Sequence, residues 1–222
     1  MTVASKSQRG VVLILVLVLL LVLGIAATAA VRLAQIETRM SGGIGERSRA
    51  RQLAEAAVLQ TESWLDEAGF SLSAEGQLCQ PSGECFSSLC DKGLCFSGRL
   101  ELDSEDLHRC SLNPLSREAE LFQQRSLWTE PNKTQDWPLY DADGDLIASA
   151  PVLVEWRCFI PLNPLEAENS EKRYQLSHWQ PLYRISAYSR GRDGHSRLLL
   201  QTLYSPQLGR QSWREVPILF LP

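Results

Sequence analysis

Three observations predict an α+β fold in which a long N-terminal helix packs on a C-terminal antiparallel β-sheet carrying a disulfide-stapled loop. Residues 10–31 form one uncharged apolar run of 22. Beyond it, apolar positions recur at helical spacing through Leu65. Near the C-terminus, alternating segments flank a glycine-bearing turn, and all six cysteines lie after the apolar run.

The helix comes first. At about 1.5 Å per residue the apolar run extends ~33 Å, enough to cross a hydrocarbon core of about 30 Å. It follows a short basic leader, residues 1–10, with Lys6 and Arg9. A cleaved secretory signal would have an apolar stretch of about 7–15 residues and would be followed by a new pattern. Here the stretch is longer and the helical signal continues. Glu37, Arg39, Glu46, Arg47, Arg49, Arg51 and Glu55 are interleaved with Leu33, Ile36, Met40, Ile44, Leu53, Ala54, Ala57, Val58 and Leu65. These apolar positions, three and four apart, make one helical face. The expected object is one helix of about 55 residues, ~80 Å long. Its segment 11–32 is suited to a membrane and its segment 33–65 is amphipathic. Gly42 and Gly43 are expected to loosen it, each costing about 1 kcal/mol relative to alanine.

The remaining residues, 66–222, suit one globular domain. The net charge of −4 and the lack of a basic stripe interleaved with aromatics leave no electrostatic footprint for nucleic acid. Four of the cysteines, Cys79, Cys85, Cys90 and Cys95, fall in a polar stretch with Pro81, Ser82, Gly83 and Gly93, within a cysteine-rich loop spanning 79–110. Cys110 and Cys158 complete the set. An even count confined to one side of a membrane helix points to disulfides in an oxidising compartment. Zinc would favour C-x2-C spacing, whereas the gaps here are five, four and four residues. Metal binding and free thiols remain the alternatives. Six cysteines allow 15 pairings, and the sequence does not choose among them.

A strand is expected over Pro151–Ile160, from its β-branched and aromatic residues. Two more are expected over Pro181–Ser189 and Arg197–Tyr204, joined by the turn at 190–196. The period of two puts Tyr183, Ile185 and Ala187 on one face of the first, and Leu198, Leu200 and Thr202 on one face of the second. Such a sheet needs cover, and the stripe of Leu53, Ala57 and Leu65 is the candidate. Core packing accounts for most of the six tryptophans.

This arrangement resembles the type IV pilins. Within them, Glu37-x-Arg39-Met40 and Arg51-Gln52-Leu53-Ala54-Glu55-Ala56-Ala57 are similar to a block of the PilX-type minor pilins. The segment from Tyr183 through Gly191 to Leu198–Tyr204 is similar to their closing hairpin. The resemblance covers residues 8–65 and 181–204; the four-cysteine loop lies outside it. It implies a pilin-like α+β fold, cleavage by a prepilin peptidase between Gly10 and Val11, and methylation of the new Val11 amine. It also implies a glutamate at the fifth mature position, where this chain has Leu15. In such proteins that carboxylate would pair with the N-terminal ammonium of the subunit added before it. A charge in low dielectric costs several kcal/mol unless paired. The first subunit of a fibre has no earlier neighbour, so Leu15 suits a subunit at or near the tip; a plain membrane leucine is the competing reading.

No other chemistry stands out. His108, His178 and His195 are isolated in sequence, and no H-E-x-x-H, G-x-S-x-G or P-loop pattern occurs, so a non-enzyme without a resident cofactor is expected. Asp141, Asp143 and Asp145 around Gly144 could converge on calcium, but an EF-hand would place its glycine one position beyond the third acid and close with a glutamate. A surface turn is the competing reading.

The resulting expectation is a minor pilin of type IV pilus assembly, in a tip initiation complex supporting motility or adhesion. Its partners would be other minor pilins, the major pilin, the prepilin peptidase, the inner-membrane assembly platform and the lipid bilayer. It would cross the inner membrane once with a cytoplasmic N-terminus and a periplasmic C-terminal domain before entering the fibre. A type II secretion pseudopilin and a membrane-anchored binding module that never polymerises are the alternatives.

Overall fold

The computed structural model describes residues 9–74, 76–96, 121–140, 143–163 and 178–218. The first element, α1, is a single helix over Arg9–Glu67 that passes through Gly42, Gly43 and Gly45 without interruption. The chain divides into two compact units at the end of that glycine cluster, residues 1–45 and 46–222.

In the first unit the helix is exposed on every described side from Val12 onward. In the second unit α1 continues from Glu46 to Glu67 and packs on a sheet. After α1 come the short strands β1 (Ser71–Leu72) and β2 (Leu78–Cys79), an antiparallel pair. Strand β3 (Leu94–Phe96) and the helical turn α2 (Arg125–Thr129) follow. Five longer strands follow: β4 (Gln135–Tyr140), β5 (Leu146–Pro161), β6 (Trp179–Arg190), β7 (Arg197–Ser205) and β8 (Gly209–Val216).

The main sheet runs β3-β5-β6-β7-β8, with β4 also on β5. The expected strand at Pro151–Ile160 is the centre of β5, and the expected hairpin is β6–β7 with Tyr183 opposite Tyr204 and Ala187 opposite Leu200. One edge of β5 is shared: β4 lies antiparallel along its first half, and β3 lies parallel to Val154–Trp156. The sheet is therefore mixed, where an antiparallel one is expected from sequence. The reason is local, because β3 enters from the stapled loop and not from a hairpin, so no tight turn sets its direction.

Cross-strand register places Tyr183, Ile185, Ala187, Leu198 and Leu200 in one core cluster with Ala50, Ala54, Ala57, Val58 and Leu65 of α1. The stripe named from sequence thus does cover the sheet, with Leu53 at its margin. Small side chains at Ala50, Ala54 and Ala57 let the helix approach closely enough for Ser189 Oγ to donate a 2.6 Å hydrogen bond to the Ala50 carbonyl. An aromatic cluster completes this core: Trp156 stacks on Phe96 at 4.4 Å between ring centroids, and Phe86 stacks on Tyr183 at 5.5 Å.

The opposite face is buried as well. Leu121, Phe122 and Leu127, from the segment around α2, cover Leu153, Tyr188 and Leu199 together with Cys90 and Cys95. On this face lie Glu155 and Arg184, each no more than 5% exposed, joined in an ion pair that also includes Arg157. Phe122 closes it, its ring 4.8 Å from the Arg184 guanidinium carbon. Pairing is what makes this burial tolerable, since either charge alone would be strongly destabilising.

Candidate membrane segment and its supporting contacts

The apolar first unit is the leading candidate for a functional surface. Gly10 and Val11, the expected processing residues, lie in the first turn of α1. Leu15 is 62% exposed and shares one entirely apolar helix face with Ile14, Val18, Leu19 and Val22. A helix of this length and composition can cross a membrane. Exposure of large apolar side chains continues past the run, through Leu33, Ile36, Met40 and Ile44. A contiguous apolar surface of this extent marks a membrane or protein contact rather than a solvated face.

The sheet-packed half of α1 uses its charged residues to grip the sheet. Glu46 accepts a 2.6 Å hydrogen bond from the Arg192 backbone N–H, at the tip of the β6–β7 turn. Arg47 pairs with Glu215 of β8 at 2.8 Å, and the Arg51 guanidinium carbon sits 4.6 Å from the centre of the Trp213 ring. One turn before the helix ends, Glu62 accepts two 2.8 Å bonds from Arg210. Asp66 then accepts a 2.6 Å bond from the Tyr204 hydroxyl. Glu46, Arg47 and Arg51 thus act as clamps between helix and sheet.

These contacts shift ionisation. The bidentate bond to Glu62 raises the Arg210 guanidinium above its usual value, against the opposing effect of burial. Burial, together with the bond to Asp66 and the charges of Asp66 and Glu62, holds the Tyr204 phenol well above its ordinary range. Tyr183 is raised by burial.

The cysteine expectations resolve into pairings. Cys79 bonds to Cys85 and Cys90 to Cys95, so each bridge closes a loop between sequence neighbours. Cys158 is also disulfide-bonded, and Cys110 lies outside the described residues. The stapled loop is not an isolated polar appendage: Leu78, Phe86, Leu94 and Phe96 enter the main core. Its stability is thus partly borrowed from the sheet.

Of the candidate calcium ligands, Asp143 and Asp145 are exposed beside Gly144, and Asp141 lies outside the described residues. Among the described residues no three His, Cys, Asp or Glu side chains are grouped to hold a metal ion. His195 is exposed in the β6–β7 turn, where its ring Nδ1 lies 2.6 Å from the Asp193 carbonyl. Asp193 organises that turn: hydrogen bonds from the Ser196 backbone and side chain and the His195 backbone hold its carboxyl below the usual range, a direction led by the Ser196 backbone N–H. His178 lies just before β6, and His108 is outside the described residues.

Sequence reasoning missed the Glu155–Arg184 pair, the Glu62–Arg210 pair and the Asp66–Tyr204 bond. The partners are 29, 148 and 138 residues apart, and no local pattern announces them. No family model, curated protein or solved structure matches the chain.

Proposed function

We propose that the chain is a minor pilin that takes part in type IV pilus assembly, at or near the fibre tip. The observation that carries the reading is a single helix whose first part is apolar and exposed on every described side, and whose last part is clamped to a disulfide-bearing sheet. Such a helix can reside in lipid and later pack against other apolar helices, while the sheet domain folds in an oxidising compartment. The resemblance of residues 36–57 and 181–204 to PilX-type proteins supplies the choice of pilus over other anchored assemblies. Leu15 supports the tip position, because a subunit without the carboxylate carries no buried charge in need of an earlier neighbour.

Mass spectrometry of the protein recovered from membranes tests the pathway. A mature chain beginning at a methylated Val11 is expected. An intact Met1, or a cut near Ala30, would replace this reading with a membrane-anchored or secreted module that never polymerises. Substituting Leu15→Glu tests the tip position: surface pilus number is expected to fall, and unchanged pili with the variant incorporated along the whole fibre would remove that assignment.

A further inference from the structure

The stapled loop frames a cleft that the pilin reading leaves unused. About 310 Å³ in volume, it opens where three parts of the second unit converge. The end of α1 supplies Trp64, the loop supplies Glu84 and Lys92, and the segment entering β4 supplies Asn132, Thr134 and Gln135. That volume sits at the lower end of the range of about 300–1,000 Å³ typical of small-ligand sites.

The chemistry of its walls selects a neutral, hydroxyl-rich ligand. Lys92 and Glu84 form an ion pair with each other, so their charges cancel locally and neither sign of ion is favoured. Trp64 is partly exposed and held by edge contacts to Phe70 and Trp137, with ring centroids 5.6 and 6.3 Å away. The negative face of such a ring attracts the C–H face of a pyranose, while amide and hydroxyl groups at the rim address its hydroxyls. Gln135 lines the cleft, and its side-chain carbonyl oxygen is buried without a hydrogen-bond partner. Turning that amide toward a ligand hydroxyl breaks no bond to its oxygen and satisfies an acceptor that is otherwise orphaned.

The backbone points the same way. Four described non-glycine residues have positive φ, and two of them, Lys92 at 52° and Asn132 at 61°, line this cleft. They are joined by a 2.7 Å hydrogen bond from the Lys92 N–H to the Asn132 carbonyl. Gly93, at φ 78°, lies so close to the opposite wall that a Cβ would sit 2.7 Å from the Gln135 nitrogen and 2.8 Å from the Val152 carbonyl oxygen. Costly backbone conformations persist where the surroundings over-determine them, and they cluster at ligand sites.

We propose that this cleft binds a neutral saccharide, one or two pyranose units, with a sugar ring stacked on Trp64 and its hydroxyls on Asn132, Thr134 and Gln135. The proposal does not rest on whether the helix polymerises. The test is saturation-transfer NMR on the full chain in a zwitterionic detergent that carries no sugar. The probes are glucose, galactose, mannose, N-acetylglucosamine, lactose and cellobiose, each at about 10 mM to reach weak affinities. Transfer to the ring protons of at least one sugar is expected. Gln135→Met, which keeps the side-chain length, should weaken that binding about tenfold. Trp64→Ala, where circular dichroism shows it folded, should abolish it; where it does not fold, Gln135→Met alone decides. The proposal is overturned if no sugar shows transfer, if Gln135→Met or folded Trp64→Ala binds like the parent, or if a Gly-Ser peptide shows equal transfer lost on the same substitutions.

Discussion

Replacing Gly42 and Gly43 together by alanine should stiffen α1 within its glycine cluster. Both glycines lie inside the helix, and a Cβ built on either meets no atom within 4 Å. The substitution therefore carries no steric cost, and the whole effect is helix propensity, about 1 kcal/mol per glycine and ~2 kcal/mol for the pair. Because 1.4 kcal/mol is a factor of ten, local opening of this segment should become about thirtyfold rarer. Amide hydrogen exchange on the detergent-solubilised full chain reads this directly, as increased protection of peptides spanning residues 38–49 with no change in peptides from β6 and β7. Unchanged or reduced protection in residues 38–49 would refute the reasoning. It would mean either that the segment is not helical in solution or that its opening is not limited by glycine entropy.

Four further outcomes follow from named contacts. Trp156→Ala, emptying a fully buried site stacked on Phe96, should lower unfolding stability by about 3–5 kcal/mol in chemical denaturation. The double substitution Cys79→Ser with Cys85→Ser opens a loop of sequence separation 6 and should cost about 2 kcal/mol, mainly through the unfolded chain, with added reductant producing no further loss at that bridge. Glu62→Gln leaves Arg210 without its ion pair at a site that is partly open to water, so the loss should be only about 1 kcal/mol and should shrink in high salt. Tyr183 and Tyr204 hold their protons more tightly folded than unfolded, so their contribution is complete below the unfolded phenol value near pH 10 and is lost as pH rises above it. Melting temperatures measured above about pH 10 should therefore decline, less steeply in Tyr204→Phe.

Much of the architecture was legible because it rests on periodicity. The uninterrupted apolar run, the three-and-four spacing of Ala54, Ala57 and Leu65, and the alternation around Tyr183 and Leu200 are each set by local geometry, 3.6 residues per turn or two per pleat. Strands β4 and β8 were not legible. Asp136 and Pro138 interrupt the first, and Arg210, Arg214 and Glu215 crowd the second, so neither shows the composition of a buried strand. They pair because β5 and β7 present open edges, a fact of the assembled sheet.

The second buried face shows the same limit. Arg184, Ser186 and Gln201 alternate with apolar residues as a solvent-facing set would, yet all three are buried under Phe122 and its neighbours. They are stable there because Glu155 meets Arg184, and Gln201 bonds both Ser186 and Arg214. A residue's partner across 29 positions of chain leaves no mark on its own neighbourhood.

The sequence by itself determined the helix that suits lipid, the stripe that covers the sheet and the presence of cross-links, because each depends on residues close along the chain. Tertiary structure alone decided which cysteines bond, which charges are buried in pairs, and that Trp64, Lys92 and Gln135 come together around one cleft. Those outcomes depend on which distant groups can satisfy one another once water is excluded, and only the folded chain brings such groups within bonding distance.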